Sequence, residues 1–281
     1  MLLTIPRLWI VAVPLGNPED LSPRARGVLS TVNLVLAEDT RRARHLFQTC
    51  GIEVSRIVSF HEHNEVERHQ GVLRLLRKGL SVALVSDAGT PLLADPGFRL
   101  VRACREEGLV VSPLPGPSAP VAALSAAGIP PLPYTFLGFL PRDKAGREAL
   151  FSSFVSLPGS LVFFERKDRL KASLGQAARL LGPREIAICR ELTKEHEDFI
   201  LGRLENSDTL PDNLLGEITV IIGPPEQEFS TPREEVENLI QQELVRGGKP
   251  RQIVRRVQSA VKGWTGKKLY ALLPTVDHTD K

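Results

Sequence analysis

From residue 8 to about 115, short apolar runs alternate with stretches of helical periodicity. "LWIVAV" is followed by a helical pattern near 21 to 32, "LVLAE" by one near 40 to 49, and "RIVSF" by one over 65 to 78. "SVALVSD" then precedes a pattern over 96 to 107, and "LVVSPLPG" closes the series. Parallel strands need a crossover of a dozen or more residues between them, and a helix is its usual form. The rhythm therefore predicts βαβ units and a mainly parallel sheet covered on both faces.

The rhythm changes at about 118. "SAPVAALSAAG" reads as a helix of small residues, "YTFLGFLP" and "SLVFFE" as strands, 169 to 181 as a helix, and "EIAICREL", "FILGRL" and "GEITVIIG" as further strands. Strands joined by short connections predict a mixed or antiparallel second sheet. A polar, proline-rich stretch, "GPPEQEFSTP" at 223 to 232, separates it from three helical patterns at 233 to 245, 251 to 262 and 266 to 273. The chain is thus expected to be α/β. It divides into an N-terminal domain over 1–116, a second α/β domain over 117–224 and a small basic helical module over 231–281, with no internal repeat.

With 281 residues and 42% hydrophobic content, the chain can fill more than one core. Its early apolar stretch "LWIVAVPL" is far shorter than the ~20 residues a bilayer requires, and no secretory cleavage pattern follows it. Cys50, Cys104 and Cys189 are odd in number and far apart, which argues against a disulfide framework or a structural zinc site. A cytoplasmic protein without a membrane partner is the expectation. The formal net charge is only +3, but Arg246 to Lys268 holds eight Lys or Arg and no acid. Such a segment suits a polyanion.

Familiar nucleotide and hydrolase loops are missing. No G-x-x-x-x-G-K-[ST] occurs, no G-x-G-x-x-G follows the first strand, and there is no G-x-S-x-G elbow. Instead, three turns rich in Gly, Pro, Asp and Ser follow three strands: "VPLGNPEDL" at 13 to 21, "SDAGTP" within "LVSDAGTPLLADPG" at 84 to 97, and "PLPGPSAP" at 113 to 120. At the carboxyl edge of an α/β sheet such turns present backbone N–H and C=O groups to a ligand. That surface suits a neutral heterocycle and a zwitterionic amino acid better than a triphosphate.

Taken in order, "VAVPLGNPEDLSPRA", "LAEDTRRARHL", "SFHEHNE", "VALVSDAGTPLLADPGFRLV", "PLPGPSAPVAALSAAG", "GFLP" and "RELTK" resemble the tetrapyrrole-methylase superfamily. More narrowly they resemble its ribosomal branch, the small-subunit rRNA cytidine 2'-O-methyltransferases, and the likeness runs on to "GKKLYALL" near the carboxyl end. The resemblance implies a two-domain tetrapyrrole-methylase-like fold, working as a homodimer, with S-adenosylmethionine held between the domains. The acceptor would be ribosomal RNA or the assembled small subunit. By position, the cofactor contacts would be Pro14, Gly16 and Asn17; Asp87, Ala88, Gly89 and Thr90 with Leu93 and Asp95; Ser118 and Ala119; Phe164; Glu191 and Leu192; and Gly216. Two departures stand out. The superfamily's G-D-P is Gly89-Thr90-Pro91 here, leaving any carboxylate contact to Asp87 or Asp95, and "FERKDRL" replaces a Tyr-Glu-Ser-Pro-His-like run.

Methyl transfer to a ribose hydroxyl gains from a base that takes its proton. "AEDTRR" and "HEHNE", both after strands of the first sheet, offer Glu38, Asp39, His61, His63 and Asn64. The catalytic candidates are Asp39, Arg41, His63 and Asn64. Asp39 is equally suited to cap the helix starting near Thr40, and Arg41 to bind a phosphate or pair with Glu38. His61 and His63 share a strand face, but without a third ligand in reach they do not define a metal site. For RNA, the candidates are Arg41 and the tail residues Arg251, Arg255, Arg256, Lys262, Lys267 and Lys268, with Trp264 and Tyr270 placed to stack on bases. The tail's other reading is a packing module with a solvated basic face, in which Trp264 belongs to the core. Methylation of a tetrapyrrole or of a modified protein side chain, and a non-catalytic RNA-binding assembly role, remain open on sequence alone.

Overall fold

A computed structural model describes residues 6–62, 64–211, 214–226 and 231–273. The first sheet is built from β1 (Leu8–Val11), β2 (Leu34–Ala37), β3 (Ile57–Ser59), β4 (Val82–Val85) and β5 (Val111–Leu114) in the order β3-β2-β4-β1-β5, and every pairing is parallel. Its helices are α1 (Pro23–Leu29), α2 (Thr40–Thr49), α3 (Glu65–Arg77) and α4 (Phe98–Glu106). Alternate strand residues feed two separate cores. Trp9, Val35 and Ala83 pack with Leu29 and Phe47 of α1 and α2, while Leu8, Leu36 and Leu84 pack with Leu73 and Leu100 of α3 and α4. Burial on both faces explains why these strands read as continuous apolar runs.

Helix starts follow local chemistry. Ser22 caps α1 by accepting from Ala25 N at 3.1 Å, and Asp39 caps α2 by accepting from Arg41 N at 2.8 Å. α4 begins at Phe98, later than the periodicity suggests, because Gly97 has φ +126° and cannot be helical.

α5 (Ala119–Ala126) leads into the second sheet: β6 (Tyr134–Phe139), β7 (Ser160–Glu165), β8 (Glu185–Arg190), β9 (Asp198–Arg203) and β10 (Ile218–Ile222), in the order β6-β7-β10-β8-β9. β6 and β7 run parallel and the other pairs antiparallel, so this sheet is mixed. One face carries α6 (Lys144–Ser152) and α7 (Lys167–Leu181) over Phe163, Ile188 and Val220. The other meets α5: Val162, Ala187 and Ile221 pack with Ala123 and Leu124, and Leu15 of the first-strand turn joins them. α6 was not apparent from the sequence. It is a short helix fixed by Asp143, whose carboxylate accepts from Gly146 N at 2.7 Å, and by the buried Arg147, which donates to Pro141 and Arg142 carbonyls at 3.1 and 2.7 Å.

The carboxyl-terminal module consists of α8 (Arg233–Arg246), α9 (Pro250–Ala260) and α10 (Gly266–Tyr270). Val236, Ile240, Ile253, Val257 and Leu269 form its own small core. Trp264, readable as a stacking platform or as core, packs against that core, and its indole N–H donates to Thr231 O at 2.7 Å. A large ring with one polar edge is well used in this way. No helix among the described residues is long and apolar enough to cross a membrane.

Candidate active site

β4, β1 and β5 are neighbours, so the three glycine-bearing turns leave adjacent strand ends and meet. Val13 N donates to Gly89 O at 2.9 Å and Gly89 N returns to Val13 O at 3.1 Å, which joins the first two turns. Thr90 Oγ1 donates to Pro117 O at 2.8 Å, which joins the second to the third. Gly89 has φ +73°, and a Cβ there would lie 3.0 Å from Leu15 Cδ2. Close main-chain approach with a positive φ is what glycine permits.

These turns and the facing second sheet enclose a cleft of about 410 Å³, within the range of small-molecule sites. Asp87, Ala88, Gly89, Thr90, Leu93, Asp95, Ser118, Ala119, Phe164 and Gly216, ten of the positions carried over from the family, all line it. The aromatic wall is larger than expected. Phe139 lines the cleft beside Phe164, with ring centroids 5.3 Å apart, and Phe136 meets Phe164 edge-on at 5.0 Å.

The opposite wall is acidic. Asp87 accepts from Asp39 N at 3.1 Å and pairs with Arg42 at 3.3 Å. Glu38, at the end of β2, also faces the cleft; burial, then the Asp87 charge, pushes its carboxyl above the ordinary value. Asp95 is raised to about 6 by burial first and by the Glu38 and Asp87 charges next. Clustered carboxylates that share a poorly solvated site resist ionising together.

Five expected contacts do not line the cavity. Pro14, Gly16 and Asn17 lie behind Leu15, where the first-strand turn docks on the second lobe: Asn17 N donates to Thr193 Oγ1 at 3.2 Å, and a Cβ on Gly16 would lie 2.1 Å from Lys194 Cγ. Gly16 thus permits the close approach of Lys194. Glu191 has φ +50°, and its carboxylate accepts from Lys194 Nζ at 2.9 Å and Glu217 N at 2.8 Å, bracing the turn around Gly216 from behind. Leu192 is buried in the core beneath α5.

The catalytic candidates fare differently from the cofactor contacts. Asp39 is occupied by Arg41, which donates from Nε at 3.3 Å and Nη2 at 3.1 Å, and these bonds hold the carboxyl down at about 2. A carboxylate so stabilised is a weak base, and Arg41 pairs with Asp39, not Glu38. Asn64 accepts from His61 N at 2.9 Å and donates to Ser59 O at 3.3 Å, so it shapes its own turn. His63 lies outside the described residues. The sequence reading missed Glu165 and Arg166 in the cleft wall. The Glu165 side chain is fully buried and accepts from Arg166 N at 2.8 Å, from Ser173 Oγ at 2.7 Å and from Arg169. The one signal was its place in "FERKDRL", where it matches the glutamate of the family's Tyr-Glu-Ser-Pro-His-like run, but its neighbours Arg166 and Lys167 read as solvated.

In the tail, Arg251, Arg255, Lys262, Lys267 and Lys268 are exposed, as an RNA-binding role requires. Arg256 is not comparable to them. It is bound to the Glu243 carboxylate and donates to Gly247 O at 2.8 Å, tying α9 to α8.

A parallel sheet and a mixed sheet, facing each other across a cleft floored by three glycine turns, define a methylase class distinct from Rossmann-type enzymes. The chain belongs to the tetrapyrrole (corrin/porphyrin) methylase family, whose sequence model matches residues 7–208, and it is a methyltransferase of that family. It is 43% identical over 260 residues to the ribosomal RNA small subunit methyltransferase I of Micromonospora olivasterospora, covering 91% of this chain and 82% of that one. The enzyme of the same name from Thermotoga maritima is 41% identical, with 78% and 99% covered. Among solved structures, the methyltransferase CobJ superposes with a TM-score of 0.60 at 18% identity, covering 81% of this chain and 96% of that one. A uroporphyrin-III-C-methyltransferase from Thermus thermophilus gives 0.56 at 24%, with 77% and 94% covered. Both show the shared fold.

Proposed function

We propose that this protein transfers the methyl group of S-adenosylmethionine to the ribose 2'-hydroxyl of a cytidine in small-subunit ribosomal RNA. It would act as a homodimer in the cytoplasm. The observation that carries the proposal is the junction of three main-chain turns with three carboxylates in one cleft. The relatives named ribosomal RNA small subunit methyltransferase I support the choice of RNA as acceptor.

The residues present fit the cofactor. Phe139, Phe164 and Ile218 would give an adenine an apolar face, main-chain groups at Thr90 and Ser118 would meet its polar atoms, and Glu38, Asp87 and Asp95 would favour a cation over a phosphate. Thr90, in place of the superfamily's aspartate, keeps its hydroxyl on Pro117 O. When bound, S-adenosylmethionine supplies an electrophilic methyl group on a sulfonium.

Everything else falls to the chain. The joined turns fix donor and acceptor relative to each other, and such positioning supplies a large share of a bimolecular rate. We assign the proton of the 2'-hydroxyl to an Asp95 carboxylate oxygen. This residue lines the cleft, and its carboxyl is raised to about 6 by burial and by Glu38 and Asp87, near the value that serves a base at neutral pH. Arg251, Arg255, Lys262, Lys267 and Lys268 hold RNA phosphates.

The test is incubation with tritiated S-adenosylmethionine and assembled small subunits, naked rRNA or porphyrin precursors. The expected product is 2'-O-methylcytidine in rRNA. Label in porphyrin alone, or none in any acceptor while the cofactor binds, overturns the proposal.

A further inference from the structure

A second cavity of about 370 Å³ adjoins the cleft and shares Glu38, Ala94 and Asp95 with it. Its remaining wall includes Glu62, Glu65 and Phe98. Two of these side chains are out of the ordinary. Phe98, the first residue of α4, is 64% exposed, a large ring left uncovered at the mouth of a cavity. Glu65, the first residue of α3, is only 6% exposed, and its Oε1 has no hydrogen-bond partner among the described residues.

A buried carboxylate oxygen without a donor is a position awaiting one. A planar aromatic face beside it suits a nucleobase, since stacking on aromatic rings is how proteins hold unpaired bases. The turn that carries Phe98 is tightly defined, because Gly97 at φ +126° would place a Cβ 2.5 Å from Leu84 Cδ2. The ring therefore follows a backbone bend packed directly on Leu84.

We propose that this second cavity receives the base of the target nucleoside, with Phe98 as its stacking surface and Glu65 as the group that selects it. The proposal rests on the RNA methyltransferase reading above. Glu65 Oε1 accepts a hydrogen bond from an exocyclic amine such as cytosine N4–H. A uracil would present its O4, an acceptor, to the same oxygen. The shared residues Glu38 and Asp95 then lie between base pocket and donor cleft, where the ribose must be.

Wild-type enzyme is first assayed on small subunits, and the methylated position is mapped. Subunits are then reconstituted with cytidine, uridine or 2-pyrimidinone riboside at that position. For wild type, replacing cytidine by either analogue is expected to lower kcat/KM by about tenfold or more. Glu65→Gln, whose amide can turn either its oxygen or its nitrogen to the base, is expected to narrow the cytidine-to-uridine ratio by a similar factor and leave the Kd for S-adenosylmethionine unchanged. Phe98→Ala is expected to raise KM for subunits on the order of tenfold. Methylation of cytidine with an unchanged ratio in Glu65→Gln overturns the inference while the function stands, and absence of label on every RNA overturns both. If Glu65→Gln does not fold, the analogue series with wild type decides: equal turnover on 2-pyrimidinone riboside removes the amine contact.

Discussion

Gly216 and Glu191 stand so close that a Cβ added to Gly216 would lie 2.4 Å from the Glu191 carboxylate oxygen Oε1. Gly216 also has φ +94°, so Gly216→Ala meets both a steric and a backbone penalty. A loss of roughly 1–3 kcal/mol in stability is expected. Because Glu191 braces Lys194 and Glu217 N, weaker binding of S-adenosylmethionine should accompany it. Thermal melts and calorimetric titration of the variant check both.

The raised Asp95 carboxyl sets a pH dependence of known sign. A carboxyl at about 6 in the folded protein, against 3.8 when unperturbed, binds more protons folded than unfolded between those values. Stability therefore falls as pH rises through that window. Asp95→Asn should raise the melting temperature at pH 8 and bring little gain near pH 4. Methyl transfer by the wild type should rise with pH through about 6, and the variant should lose roughly 10²–10⁴ in kcat if Asp95 takes the proton.

Glu165 joins β7 to α7 at the cleft wall. Glu165→Ala leaves Arg169 and Ser173 Oγ without their shared acceptor. A hydrogen bond to a charged group contributes roughly 1.5–3 kcal/mol, and a loss of that order is expected in urea titrations, with weaker cofactor binding. Glu165→Asp, which keeps the charge but shortens the reach, should recover only part of it.

Neutralising Lys262, Lys267 and Lys268 together should weaken RNA association and reduce its dependence on salt by up to about 2–3 in the slope of log K against log salt. All three are exposed and none belongs to the module's core, so cofactor affinity and melting temperature should hold. Filter binding across a salt series measures the slope. Adding Arg256→Ala should instead destabilise the module, since that side chain bridges α9 to Glu243.

What was legible in the sequence had local causes. The strands of the first sheet announced themselves as apolar runs because both faces are buried, and the start of α2 was marked by the capping Asp39. The turns that carry Gly89 and Ser118 were legible because glycine and proline cluster where a strand gives way to a turn, while the residues themselves were named by the family resemblance. Residues whose roles depend on distant partners were not legible. Gly16 answers to Lys194, Gly216 to Glu191, and Trp264 to Thr231, and none of these pairs leaves a spacing in the chain. Asp39 and Asn64 have the chemistry of candidates, but their hydrogen bonds are spent on Arg41 and His61.

The reciprocal bonds between Val13 and Gly89 use only peptide atoms, and Thr90 reaches a peptide carbonyl. A floor laid by the polypeptide itself is indifferent to most side-chain exchanges. Substitutions in the walls above can therefore remodel the cleft without moving the floor they stand on.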